Sequence, residues 1–222
     1  MTAAQQTHPE QRATVDRLAR AGLWCLPVYG VLLALGTLTH QPDPATQFED
    51  YARYITTDRF LVSHLVASIL GAGVGLVGVI AALVFLLRTR SAGRALVGAA
   101  LTTVGNVLLT AVFAAAAFAQ PAIGRAFLAG DEGVRELDRD VYGTPLTTTA
   151  AVGLLLFVAG AIVLGRAVAR SSPSLRWAGV TYAVALPVFA VAGFVLGPLQ
   201  PVAAAVLALA AVVIARRLPR VG

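Results

Sequence analysis

The chain has no lysine, one cysteine and three histidines among its 222 residues, and only 13% of those residues are charged. Each shortage excludes something. The single Cys25 rules out an intrachain disulfide and any cysteine-based metal site, leaving a thiol that behaves as a small hydrophobe. With lysine absent, all 17 basic residues are arginine, set as short clusters at the ends of apolar runs. The net charge of +6 therefore builds no basic stripe interleaved with aromatics, and the chain is read as binding no nucleic acid. No Asp, Glu or Arg falls in the middle of an apolar run, which argues against a pump built on a carboxylate relay. Also missing are a P-loop, an H-E-x-x-H, a G-x-S-x-G and an acidic pair of the kind that holds magnesium for lipid-phosphate chemistry. No catalytic residue and no metal ligand set is nominated, and an enzyme is not the expectation.

What is present is apolar: 58% of the chain, with a mean hydropathy of +0.78, gathered in unbroken runs of about 17–27 residues that a soluble core could not hide. The pattern predicts an all-α, polytopic bundle of six transmembrane helices. They cover about 21–39, 60–87, 95–119, 146–164, 177–196 and 200–215, within one domain over 19–217 flanked by polar tails at 1–18 and 218–222. The first run is too long for the core of a signal peptide. The apolar stretch 177–215 would measure about 58 Å as one helix, about twice the hydrocarbon thickness. The G-P-L-Q-P segment at 197–201 is therefore expected to turn the chain.

Two longer loops separate the spans. In the first, Asp43 before Pro44 reads as a helix N-cap with proline at the first helical position. Phe48, Tyr51, Tyr54 and Ile55 then fall on one side of a short amphipathic helix lying on the membrane surface, and Asp58 is placed to cap the second span. The second loop, after Ala119, is acidic. Its Asp131, Glu132, Glu136, Asp138 and Asp140, with Glu49, Asp50 and Asp58 of the first, are read as a solvated negative face. Six spans leave both termini and the loops near 90 and 170 on one side, with 12 arginines and two acids, against five arginines and nine acids on the other. Arginine near span ends marks the cytoplasm, so both termini are expected to be cytoplasmic.

The candidate site follows from depth. His64 is the one ionisable side chain inside the apolar run of the second span, by default a functional-site hypothesis. Helical spacing sets it on one face with Ser68, Gly71, Gly75 and Gly78. Thr110 and Thr147 reach a similar level from other spans, His40 and Gln120 sit at the outer rim, and Asn106 lies near the midplane in a stripe with Thr103 and Thr110. His64, Ser68, Thr110, Thr147 and His40 are thus the candidate ligand-binding residues, facing the outer half of the bundle. The plainer reading of His64 is a neutral imidazole bonded to a threonine or a backbone carbonyl. Gly71, Gly75, Gly78 and Asn106 are read as helix-packing residues, the glycines as close contacts and Asn106 as an interhelical hydrogen bond. Two other functions share these residues. His40 and His64 could together ligate haem in a redox subunit, or the glycine face could dock a partner helix in an accessory subunit.

The segments F-x-x-Y…F-L-V-S-H-L, Q-P-A-I-G-R-A-F-L-A-G and S-L-R-W-A-G resemble an uncharacterised family of actinobacterial multi-pass membrane proteins. The resemblance implies six spans in a bacterial plasma membrane and brings no activity with it. The expected function is a non-enzymatic membrane protein that takes a small or lipid-like ligand, or a membrane protein partner, through its extracytoplasmic half.

Overall fold

A computed structural model describes residues 9–38 and 41–220. The chain is 86% helical, with no strand among the described residues, and six of its helical stretches are long and apolar enough to cross a membrane.

The first span is two helices, α1 (Pro9–Leu23) and α2 (Cys25–Gly36), broken at Trp24. Pro27 explains the break: its ring collides with the carbonyl four residues earlier, that of Leu23, and it has no N–H to donate there. α1 therefore starts well inside the segment expected as a polar tail. Its Asp16 meets the Arg88 guanidinium, with Nη1 3.0 Å from Oδ2.

Pro44 starts no helix. Asp43 instead closes a turn, its carboxylate accepting from the Ala45 N–H at 2.9 Å and the Thr46 hydroxyl at 3.2 Å. The short helix α3 begins four residues later, at Phe48–Ile55. The second span opens with α4 (Asp58–Ser63), capped by Thr57 rather than Asp58: the Thr57 hydroxyl accepts from the Phe60 N–H. It passes through a π-helical turn at His64–Leu70 and continues as α5 (Gly71–Leu86).

The third span, α6 (Ala92–Leu128), is the main departure from the expected ends. Its 37 residues make about 55 Å, far more than the roughly 30 Å of hydrocarbon, and it runs through Pro121 where a loop was expected. The excess is held by protein. α3 lies so close to Gly124 that a Cβ there would be 2.8 Å from Ile55 Cγ1 and 2.9 Å from the Ala52 carbonyl. A Schellman ending stops the helix at Gly130, whose φ of 97° suits glycine, with the Asp131 N–H bonded back to the Ala126 carbonyl.

A short helix α7 (Val134–Val141) precedes the fourth span, α8 (Thr144–Ser171), which likewise outlasts its expected end by carrying Arg166 and Arg170 on its last turns. Then come α9 (Arg176–Val195) and α10 (Leu199–Arg217), separated by the expected break. Consecutive spans pack on one another and α10 returns to pack on α2, closing a ring of six. α1 and the last turns of α10 lie at one end of this ring. Arg88 reaches Asp16, Arg217 donates to the Ser174 carbonyl at 3.0 Å, and Arg216 lies over the Trp24 ring.

Candidate functional site

The histidine that stands out in the sequence sits at the start of the π-turn. Its Nδ1 is 3.0 Å from the Phe60 carbonyl oxygen, which can only accept, so Nδ1 carries a proton, and in the neutral ring Nε2 keeps its lone pair. The ring stacks on Phe60, centroids 4.1 Å apart, and Phe60 meets Tyr54 edge-on. No described residue hydrogen-bonds Nε2. The wider i→i+5 winding also ends the simple face drawn from helical spacing. Within it Ala67 is the buried residue, its methyl lying where a Cβ on Gly36 would fall, while Ser68 is half-buried.

The two threonines expected around His64 are satisfied locally. The Thr110 hydroxyl donates to the Asn106 carbonyl at 2.7 Å, and the Thr147 hydroxyl, exposed, to the carbonyls of Tyr142 and Gly143. No hydrogen bond joins either to His64. His40 lies outside the described residues, so the His40–His64 pair has no geometry to assess. Asn106 donates from Nδ2 to the Ala72 carbonyl at 3.0 Å, tying α6 to α5. Its expected stripe partner Thr103 is exposed, while Thr102 is buried with its hydroxyl unpartnered among the described residues. The glycine face of α5 is occupied within the chain. A Cβ on Gly75 would meet the Tyr29 ring at 3.1 Å, on Gly78 the Leu26 side chain at 2.6 Å, and on Gly71 Leu32 at 3.7 Å. That face is therefore closed by α2 and leaves no room to dock a partner helix.

Buried polar chemistry gathers instead at the acid-rich end, where α3 and α7 cover the tip of α6. Three of the buried side-chain atoms without a hydrogen-bond partner among the described residues fall together here: Gln120 Oε1, Asp138 Oδ1 and the Tyr142 hydroxyl. The Asp138 carboxyl, only 9% exposed, lies against the Tyr51 hydroxyl, and Tyr142 lies beside both Tyr51 and Gln120. Burial, and then the neighbouring Asp138 charge, holds the Tyr51 phenol well above its ordinary range. Tyr51 therefore keeps its proton and presents a donor to the carboxylate. Asp138 is thus not part of the solvated negative face to which its loop was assigned.

The sequence assembles this cluster by local amphipathicity. On α7 the buried Val134 and Asp138 are four residues apart and share a face. On α3 Tyr51 and Ile55 do the same, with Phe60 completing a small apolar cluster beneath them. Arg135 fastens the cover from outside. Its guanidinium lies 4.8 Å from the ring centroids of both Phe48 and Phe127, and its Nε is 3.1 Å from Glu132. Beside that clamp opens a shallow cavity of about 310 Å³, lined by residues 45–50 and Arg135.

Tyr51, Gln120, Asp138 and Tyr142 were not nominated together from sequence. The signal that could have found them is an acid on the buried stripe of a short amphipathic helix. Among the described residues no group of three or more His, Cys, Asp or Glu is placed to hold a metal. Gln120 Oε1 and Asp138 Oδ1 can only accept hydrogen bonds, whereas the Tyr142 phenol can donate as well as accept. No protein-family model, curated protein or solved structure matches the chain.

Proposed function

We propose that this chain is a six-span, non-enzymatic protein of a bacterial plasma membrane, both termini cytoplasmic, that binds a small or lipid-like ligand with a donor-bearing head group at its outer end. The observation that carries the reading is the pair of buried acceptors, Gln120 Oε1 and Asp138 Oδ1, that have no hydrogen-bond partner among the described residues, with the Tyr142 phenol beside them. An unpaired buried polar group costs about 1–3 kcal/mol, and a charged one more. A chain that keeps them together has a use for them, and a bound head group supplies donors to the two acceptors. An ammonium fits this set best, because a carboxylate, an amide oxygen and a phenol oxygen can surround it. His64 lies below, one aromatic ring removed from the cover through Phe60, with Nε2 free to accept.

The test is a thermal-shift comparison of the purified protein with ammonium-headed compounds (choline, ethanolamine, phosphatidylethanolamine) against acetate and glycerol. The reading expects stabilisation by one of the former in wild type and its loss in Asp138→Asn. Stabilisation that survives Asp138→Asn, or none from any ammonium compound, would overturn it. Orientation is tested separately in a Cys25→Ala background. An impermeant maleimide should label Glu136→Cys on intact cells and Arg90→Cys only after permeabilisation. The reverse pattern would invert the topology.

A further inference from the structure

The opposite end of the ring holds a second feature, independent of the outer cluster. α8 and α9 cross at small residues, where a Cβ on Gly165 would fall 2.7 Å from Ala183 and one on Gly179 against the Ala169 backbone. Beside this crossing the two helices part into an open groove of about 710 Å³, lined by Ile162, Arg166, Ala169, Arg170, Arg176, Val180, Ala183 and Val184. Ile162, Arg166 and Arg170 lie at successive turns of α8, and Arg176, Val180 and Val184 at successive turns of α9.

The polarity of the groove is graded along the membrane normal. α8 rises from Ile162 to Arg170 while α9 descends from Arg176 to Val184, each over eight residues or about 12 Å. Both helices thus place arginine at the mouth and aliphatic side chains at the deep end. Trp177, 77% exposed beside Arg176, is the residue type that sits at the interfacial level. Arg166 lies one turn deeper than Arg170, where its stem can lie along the apolar wall and its head reach up to the mouth.

No described residue neutralises these charges. No lining residue is acidic, and none of Arg166, Arg170 and Arg176 makes an ion pair or hydrogen bond with a described residue. Of the two acids at this end, Asp16 is held by Arg88 and Glu10 is exposed on the first turn of α1. A cleft between spans that is cationic at the mouth and apolar below is complementary to one class of molecule in its surroundings.

We propose that the α8–α9 groove is a binding site for an anionic phospholipid, its phosphodiester on Arg166, Arg170 and Arg176 and an acyl chain along Ile162, Val180 and Val184. The test uses the full chain with Trp24→Phe, leaving Trp177 as the one indole, reconstituted in mixed vesicles. Bromine-labelled phosphatidylglycerol or phosphatidylcholine then reports which lipid occupies the groove by quenching Trp177. Phosphatidylglycerol is expected to win, with a preference that falls about fivefold for Arg170→Gln alone. The preference should vanish in the triple variant Arg166→Gln/Arg170→Gln/Arg176→Gln. A triple Arg17→Gln/Arg90→Gln/Arg94→Gln, which strips charge from the same end outside the groove, should keep most of it. An equal loss in both triples would reduce the effect to general surface charge and overturn the site. So would a preference unmoved by Arg170→Gln, or one abolished by inorganic phosphate, which would make the site one for a free anion.

Discussion

The seam between α6 and α8 and the cover formed by α3 and α7 solve opposite problems with the same chain. In the seam, helices touch backbone to backbone. A Cβ on Gly98 would be 2.6 Å from the Leu164 nitrogen, and one on Gly105 would be 2.7 Å from the Gly153 carbonyl. Lipid offers no hydrophobic gain for bringing helices together, so close contact of small residues is what holds them. In the cover, aromatic rings and a guanidinium hold short helices in place, and buried polar atoms are left without partners among the described residues. The difference teaches where a ligand can go. The seam is full, its one unpartnered hydroxyl among the described residues, that of Thr102, pressed against Gly160, whereas the cover gathers several such atoms in one place.

Gly105→Val strikes the seam hardest, because its new carbons would meet the Phe157 and Gly153 backbones, which cannot swing away. A loss of about 3 kcal/mol or outright failure to fold is expected from overpacking, read by thermal unfolding in detergent. A tolerated valine would mean the seam is looser than drawn. Arg135→Ala strikes only the cover. Losing two cation–π contacts should cost about 1–2 kcal/mol, seen as faster hydrogen exchange in α7 with the spans unchanged. Uniform acceleration across the chain would erase the distinction between the two regions. Asn106→Leu removes one interhelical hydrogen bond to Ala72, for about 1 kcal/mol in a chemical-unfolding series. His64→Phe keeps the stack on Phe60 and loses the bond to its carbonyl, so stability should drop by about 0.5–1 kcal/mol. A much larger fall would show that the imidazole holds the π-turn together.

The hydrophobic pattern carried the number of spans and the places where they turn, since crossing a membrane needs about 20 apolar residues and little else. The ends were less legible. α6 continues past Ala119 through Pro121 because α3 packs on Gly124, and α8 continues through Arg166 and Arg170 because Gly165 meets α9. Neither contact is visible in local hydropathy. Pro27 marks the break at Trp24, but the π-turn at His64–Leu70 has no such mark in the residues. His64 was conspicuous because it is ionisable in an apolar run. Asp138 was not, because one acid among five in a loop looks solvated until the fold turns its helix face inward. Thr110 and Thr147 show the converse. A hydroxyl at the right depth satisfies itself on the preceding turn and need not face a site.

Asp138→Asn tests the central contrast most directly, through the sign of its effect on the ligand-free protein. An amide keeps the shape, removes a buried charge and brings a donor to acceptors that lack one, so the variant should unfold at a higher temperature than wild type while losing stabilisation by ammonium-headed compounds. A variant that unfolds at a lower temperature would show the carboxylate to be a structural partner already satisfied in the fold, and the outer cluster would then be part of the scaffold and not a place for a ligand.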